Sequence, residues 1–389
     1  MDLPRLDDLA LARGARVLVR VDVNVPMHDG VIDDDLRLTT ALPTIQWLRE
    51  RHAVVVVAGH LGRPKGQPDA RYSLAPVAAR LGELLDRDVP LAPGIFGPRV
   101  EPVLASTPPG DVAVLENLRF APGEESCDPG FCANLCGGYD AYVNEAFGAS
   151  HRAHASIVGP PATLPHAAGL LLEREVAVLS RLLTGDDHPF VAVLGGVKVS
   201  DKLTVIDALL ARCDLVLVGG AMAFTFLLAQ GRTVGSSLVQ PDMVDECRRL
   251  LDTGRVRIPT DLVIAREPSS DAETRVVPAG AIPDGWMGLD VGPATAMAYY
   301  DEVVGAAAVL WNGPMGMFEV PPFDAGTRTL ADAVAHAPGF TVIGGGDSAA
   351  AIRQFGLADK VDHVSTGGGA SLEFIERGDL PGLEALRNG

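Results

Sequence analysis

Short apolar runs alternate along the chain with stretches whose apolar residues recur every three or four positions. VLVRVDVNV ending before Pro26, VVVVAGH (54–60), VAVLENLRF (112–120) and AYVNEAF (141–147) have the length and β-branched content of strands. Between them, LTTALPTIQWLRERH (38–52), SLAPVAARLGELL (73–85) and PGFCANLCGGY (129–139) have helical spacing. A Pro-rich joint, GPPATLPH (159–166), precedes a long helix predicted over 167–183. The alternation then restarts with VAVLGG (191–196), DLVLVGG (214–220), DLVIA (261–265), GLDVGP (288–293), AAVLWNGP (307–314), FTVIGGG (340–346) and HVSTGGG (363–369). Apolar strands separated by single helices predict an α/β chain with two doubly wound parallel sheets of Rossmann-like type, joined by the 167–183 helix.

In the second half, strand after strand runs straight into Gly-Gly or Gly-Pro. Ligands of such sheets bind at the carboxyl ends of strands, where glycine lets the backbone approach closely. GGGDSAAAI (344–352) and TGGGASLEFI (366–375) are Gly-triplet loops opening helices. Their free N–H groups favour anions, although tight turns alone also account for such glycines. Of 32 Lys plus Arg, only four are Lys, and Lys198 and Lys202 stand four apart behind Gly195-Gly196. A helix starting at this point, capped by Ser200 or Asp201, places both ammonium groups on one face near its positive end. The alternative is a pair of solvated surface lysines. Asp347 is a Mg²⁺ ligand, a helix cap, or both. Glu319 is an acceptor for ribose hydroxyls or a plain surface acid.

The first half carries a different set. Arg20, Arg37, His60, Arg63, Arg119, His151, Arg152 and His154 fall at or just after predicted strands. HLGRPKG (60–66) and SHRAHAS (150–156) gather cations with little neighbouring acid. Singly these are surface ion-pair residues; together they form a pocket for a small, multiply charged anion. Asp22 and Asn24 stand where they can meet hydroxyls beside it.

The formal charge of −18 argues against nucleic acid and against an anionic membrane as partners. No apolar run approaches the roughly 18 residues of a membrane span, and the N-terminus has no apolar signal core, so a cytoplasmic protein is expected. Five cysteines fit a reducing compartment. Cys127, Cys132 and Cys136 lack a nearby fourth ligand for zinc and are expected as core or half-buried thiols. No apolar stripe is left over, so a monomer is expected. The chain lacks the Walker A loop, the G-x-G-x-x-G fingerprint and the protein-kinase motif set. A dinucleotide dehydrogenase is therefore disfavoured, and a hinged solute-binding protein leaves the two lysines and Asp347 unexplained.

VRVDVNVP, HLGRPKG, LENLRF, VNEAFGASHRAHAS, GGVKVSDK, LWNGPMGMFE, GGGDSAA and HVSTGGGASLEF follow one another in an order that resembles the phosphoglycerate kinase family. The resemblance implies reversible phosphoryl transfer from 1,3-bisphosphoglycerate to Mg-ADP, giving 3-phosphoglycerate and Mg-ATP. It implies a triose-binding domain over 1–166, a hinge helix over 167–183 and a nucleotide domain over 184–370. Residues 371–389 would pack back on the first domain. Asp22, Asn24, Arg37, His60, Arg63, Arg119 and Arg152 would bind the triose. Lys202, Gly288, Asn312, Glu319, Gly345, Gly346, Asp347 and Ser348 would bind the nucleotide, with Asp347 as the Mg²⁺ ligand. Arg37, Lys198 and Lys202 would spread the transition-state charge, after closure of the hinge. Members of that family often carry Asp where Glu145 stands and Ser where Gly59 stands.

Overall fold

Val17, Val19, Val55, Val57, Val112, Val114 and Val143 are buried against Ile45, Leu48, Val77 and Leu81, and this packing fixes the first half of the chain. The computed structural model describes residues 1–389. Five strands, β1 (Arg16–Arg20), β2 (Val54–Ala58), β3 (Val112–Val114), β4 (Ala141–Asn144) and β5 (His166–Ala168), form a sheet in the order β3-β2-β1-β4-β5. Every pairing in it is parallel, with Val17 opposite both Val55 and Ala141. Leu18, between the two core-facing valines, is also buried, as expected of a strand covered on both faces. The strand predicted up to Val25 leaves the ladder after Arg20. Val21 still donates to Ala58 O (2.9 Å), and Val21, Val23 and Val25 keep the alternate burial of a strand. The residues between them, Asp22 and Asn24, are half-buried. Helix α1 (Leu36–Glu50) follows.

Helix α2 runs Leu170–Thr184, three residues later than predicted, because Ala167 and Ala168 complete β5 beside Val143 and Asn144. Its first turn rests on Glu145, fully buried, whose carboxylate oxygens accept from Leu171 N (3.2 and 3.3 Å). A Cβ at Gly169 would overlap that carboxylate, so the Gly169 position makes room for the longer acid. Gly59 is equally constrained: a Cβ there would lie 2.9 Å from Val21 O and against the Val23 side chain, which leaves no space for serine without a shift.

Burial pushes the Glu145 carboxyl up to about 8, against the lowering effect of the Thr44 hydroxyl and the Leu171 and Leu172 amides; Glu173 adds to the rise. The folded chain therefore holds this proton between the ordinary carboxyl value of 4.5 and about 8, while the unfolded chain releases it. The stabilising share of this group is full below pH 4.5 and lost as pH rises through about 8. Tm measured across that window should fall more steeply with pH in the parent chain than in Glu145→Gln.

In the second half, Val191, Val193, Val309, Trp311 and Ile343 pack on Tyr299, Val303, Leu330, Val334 and Ile352. Besides a short pair, Thr233–Val234 with Ala281–Ile282, the strands here are β6 (Phe190–Leu194), β7 (Leu215–Val218), β8 (Val256–Arg257), β9 (Asp261–Ala265), β10 (Arg275–Pro278), β11 (Met287–Val291), β12 (Ala308–Asn312), β13 (Phe340–Gly344) and β14 (His363–Val364). Six of them make a parallel sheet in the order β8-β7-β6-β12-β13-β14. DLVIA and GLDVGP do not join it. They form a separate antiparallel sheet, β10-β9-β11, in which Leu262 faces Val291.

Helices α3 (Leu203–Leu210), α4 (Gly346–Gln354), α5 (Gly369–Arg377) and α6 (Pro381–Asn388) complete the parts needed below. The chain divides into two compact units, Met1–Ala177 with Asp379–Gly389, and Val178–Gly378. The return to the first unit begins at Asp379 rather than at 371, because α5 continues to Arg377 and ends at Gly378 with φ +74. In the first unit α6 is held by Gly382 N to Ser150 O (2.8 Å) and by His166 Nε2 against Leu386 O (3.0 Å). No helix is long and apolar enough to cross a membrane. No disulfide joins the five cysteines: Cys136 is buried, Cys127 and Cys132 are half-buried, and burial pushes the Cys132 thiol up to about 12.

Candidate functional site

Each unit gathers its chemistry at the carboxyl ends of its parallel strands. In the first, Arg20 ends β1 and is 1% exposed. Its guanidinium donates Nε to Ser156 Oγ (2.8 Å), Nη1 to Val21 O (2.5 Å) and Nη2 to His60 Nδ1 (2.9 Å). His60 follows β2 and is buried. Burial, then the charges of Arg20, Arg119, His154 and Arg37, hold its pKa well below the ordinary imidazole value. It is a neutral ring among cations.

Arg37, in the first turn of α1, donates Nη1 to Asn24 O (2.8 Å) and Asp22 Oδ1 (3.2 Å). Asn24 Oδ1 in turn accepts from Gly62 N (2.8 Å). Arg119 sits on a 3₁₀ turn, Leu118–Phe120, capped by Asn117 Oδ1, and donates Nη1 to Gly62 O (2.9 Å). Asp22, Asn24, Arg37, His60 and Arg119 thus form one connected group, with Arg20 as its floor. Arg152 is exposed, within reach of the Arg119 charge, and its Nε lies 3.2 Å from His151 Nε2. Arg63 is exposed beside Gly62. Such a cation cluster suits an anion carrying both phosphate and carboxylate.

In the second unit the two lysines do not share a helix face. Val199 is buried, and a turn closed by Lys202 N to Val199 O (3.0 Å) delays α3 until Leu203. Ser200 and Asp201 therefore do not cap it; the Ser200 hydroxyl accepts from Gln240 Nε2 (2.8 Å) and donates to Asp201 Oδ1 (3.3 Å). Lys198 is exposed, whereas Lys202 folds back to donate Nζ to Asn312 O (3.0 Å) and to Asn312 Oδ1. Burial lowers the Lys202 ammonium to about 8, against the opposing charges of Asp347 and then Asp201.

Asn312 ends β12, beside Gly344 at the end of β13. A Cβ at Gly345 (φ +89) would lie 2.7 Å from Asn312 Nδ2, so only glycine fits at this bend. Ser348 Oγ accepts from Gly313 N (2.7 Å) and donates to Gly344 O (2.7 Å), which ties two strand exits together. Gly346 and Asp347 are exposed in the first turn of α4, with open space over Gly346. Lys202, Asn312, Gly345, Asp347 and Ser348 are thus brought together, with Lys198 outside the group.

Gly288 lies in the antiparallel sheet, its Cα face filled by the Phe224 ring and its N donating to Ser237 Oγ (3.0 Å). Met317 N to Leu289 O (3.0 Å) ties the segment that carries the exposed Glu319 to the same strand. No three His, Cys, Asp or Glu side chains converge on a metal site. A divalent ion at Asp347 would take its other ligands from phosphate oxygens and water, which is the way Mg²⁺ is commonly held.

Sequence reasoning did not reach the roles of Asn117, Glu124 and Ser156, nor the bond between Lys202 and Asn312. Asn117 Nδ2 donates to Leu61 O and Tyr72 O (both 2.8 Å) and so shapes the loop after His60. Its only sequence signal is its place in LENLRF.

The phosphoglycerate kinase family model matches residues 6–378. A phosphoglycerate kinase of Rubrobacter xylanophilus is 51% identical over 388 residues, covering 99% of this chain and 98% of its own. That of Frankia alni is 53% identical over 396 residues, covering 98% and 99%. Among solved structures, phosphoglycerate kinase from Coxiella burnetii superposes with a TM-score of 0.87 at 38% identity, over 99% of each chain. That from Pyrococcus horikoshii gives 0.88 at 34% identity, over 99% and 98%. With sequence, fold and strand-end chemistry in agreement over nearly its whole length, the chain belongs to the phosphoglycerate kinase family.

Proposed function

We propose that the chain transfers a phosphoryl group reversibly between 1,3-bisphosphoglycerate and Mg-ADP, with the triose on the first unit and the nucleotide on the second. Asp22, Asn24 and Arg37 meet the hydroxyl and carboxyl end of the triose; His60, Arg63, Arg119 and Arg152 grip its 3-phosphate end. Lys202 exchanges its Asn312 partners for a nucleotide phosphate. The amides of Gly345, Gly346 and Asp347 and the Ser348 hydroxyl border the phosphates, Gly288 and Asn312 line the nucleotide, and Glu319 accepts from the ribose. Lys198, being exposed, reaches the migrating phosphoryl group with Arg37. Mg²⁺ bound with the nucleotide at Asp347 supplies charge neutralisation at phosphate oxygens.

The observation that carries this reading is Lys202: a half-buried ammonium held on Asn312 at the mouth of a glycine loop, beside a carboxylate suited to a metal–nucleotide. Transfer needs donor and acceptor atoms within about 3–3.5 Å, so binding of both ligands draws the units together and excludes water from the acyl phosphate. The test is formation of acyl phosphate from Mg-ATP and 3-phosphoglycerate, trapped with hydroxylamine. Hydroxamate from the parent protein, and far less from Lys202→Ala, is expected; no product from a protein that binds both ligands contradicts the reading.

Gly345→Ala tests the nucleotide loop separately. The added methyl meets Asn312 Nδ2 and is strained at φ +89. By calorimetry, nucleotide affinity should fall about tenfold or more while 3-phosphoglycerate affinity is unchanged.

A further inference from the structure

Behind the cation cluster of the first unit lies a buried acid that the site itself does not use. Glu124 is 0% exposed and accepts twice from Ser156: N to Oε2 at 3.0 Å and Oγ to Oε1 at 2.6 Å. Ser156, 1% exposed, spends its hydroxyl proton on Glu124, so its lone pair is what receives Arg20 Nε (2.8 Å). A guanidinium only donates, hence Arg20 Nη2 donates to His60 Nδ1 (2.9 Å) and that nitrogen carries no proton. In the neutral ring the proton must then sit on Nε2. The hydrogen bonds thus run outward from Arg20, through Ser156 to Glu124 on one side and to His60 on the other, so the contact that orients Arg20 also sets its donor against His60.

We propose that Glu124 and Ser156 are positioning residues that, through Arg20, hold His60 as the Nε2–H tautomer, a neutral donor to a phosphate oxygen. The inference rests on the proposed triose reading. Without the Ser156 hydroxyl, Arg20 keeps only Val21 O to orient its guanidinium against His60, and the ring is free to protonate at either nitrogen. A neutral donor binds phosphate without bringing another charge among Arg20, Arg37, Arg119 and His154. Burial and the neighbouring cations also hold the His154 ring down to about 4, so it too enters the cluster uncharged.

The test uses the full-length protein with ¹⁵N-labelled histidine, His60 being assigned by its absence in His60→Gln. In the ligand-free parent, Nδ1 should resonate as an unprotonated nitrogen and Nε2 as a protonated one, unchanged across neutral pH. Ser156→Ala and Glu124→Gln should each give averaged tautomer shifts and raise KM for 3-phosphoglycerate about tenfold, with KM for ATP unchanged. Ser156→Thr, which keeps the hydroxyl, should restore the parent signature. A proton on Nδ1 in the parent, or a tautomer unmoved in both variants, overturns the relay, and the parent spectrum decides this even where a variant does not fold. A parent protein with the expected tautomer but no affinity for 3-phosphoglycerate contradicts the triose reading and leaves the relay standing.

Discussion

Lys202→Ala should lower kcat by about 10²–10³-fold in both directions, leaving KM for 3-phosphoglycerate unchanged. Lys202 is half-buried and meets oxygen atoms of Asn312 rather than an acid, so its charge is available for an arriving phosphate. Deleting it removes a cation from a site that the carboxylates of Asp347 and Asp201 already make negative, and the loss falls on the state with most negative charge between donor and acceptor. Because burial lowers the ammonium to about 8, the free protein loses this charge as pH rises through that value. The value of kcat/KM for nucleotide should therefore fall on the alkaline side. In Lys202→Arg, whose guanidinium does not deprotonate, that alkaline limb should vanish whatever rate remains. Steady-state kinetics over pH with each substrate varied in turn measure all three effects.

Arg37→Ala should produce a loss of the same order in kcat, with KM for 3-phosphoglycerate raised as well. Arg37 is aimed by two bonds from Nη1 alone, to Asn24 O (2.8 Å) and Asp22 Oδ1 (3.2 Å), and in the proposed reading the rest of its fork meets the carboxyl end of the triose. In the proposed reading the carboxylate it meets is the group that gains or loses the phosphoryl group, so the interaction would strengthen as transfer proceeds. Arg37→Lys should recover little, because a point charge reproduces neither the orienting bonds nor the bidentate grip. Unchanged kcat in Arg37→Ala would remove Arg37 from the chemistry and leave it a role in Asp22 and Asn24 geometry.

Much of this is legible in the amino-acid order. Runs such as VVVV (54–57) and AVLWN (308–312) fit only strands buried on both faces, and the glycines after them mark the strand exits where the backbone packs closely and the candidate site residues gather. The cations that follow β2 and β4 are legible for the same reason, since strand order fixes which ends they share. What the order does not carry is set by contacts between distant residues. DLVIA reads as a strand whether its partner is parallel or antiparallel, so the pattern alone puts β9 and β11 in the wrong sheet. Four-residue spacing puts Lys198 and Lys202 on one helix face, but burial of Val199 outweighs the local helix pattern and separates them. Glu124 and Ser156 are 32 residues apart, and nothing in either neighbourhood points to the other.

In the proposed mechanism the phosphoryl group passes directly between two ligands, each held by its own strand-end cluster, with no phosphorylated side chain in between. The stereochemical course at phosphorus tests this most directly, using ATP made chiral at the γ-phosphoryl group with oxygen isotopes and sulfur. A single in-line displacement predicts inversion of configuration in the acyl phosphate product. Retention would mean two displacements and a phosphorylated residue on the chain, and would contradict the roles of Arg37, Lys198 and Lys202 as groups that only position and neutralise the migrating phosphoryl group.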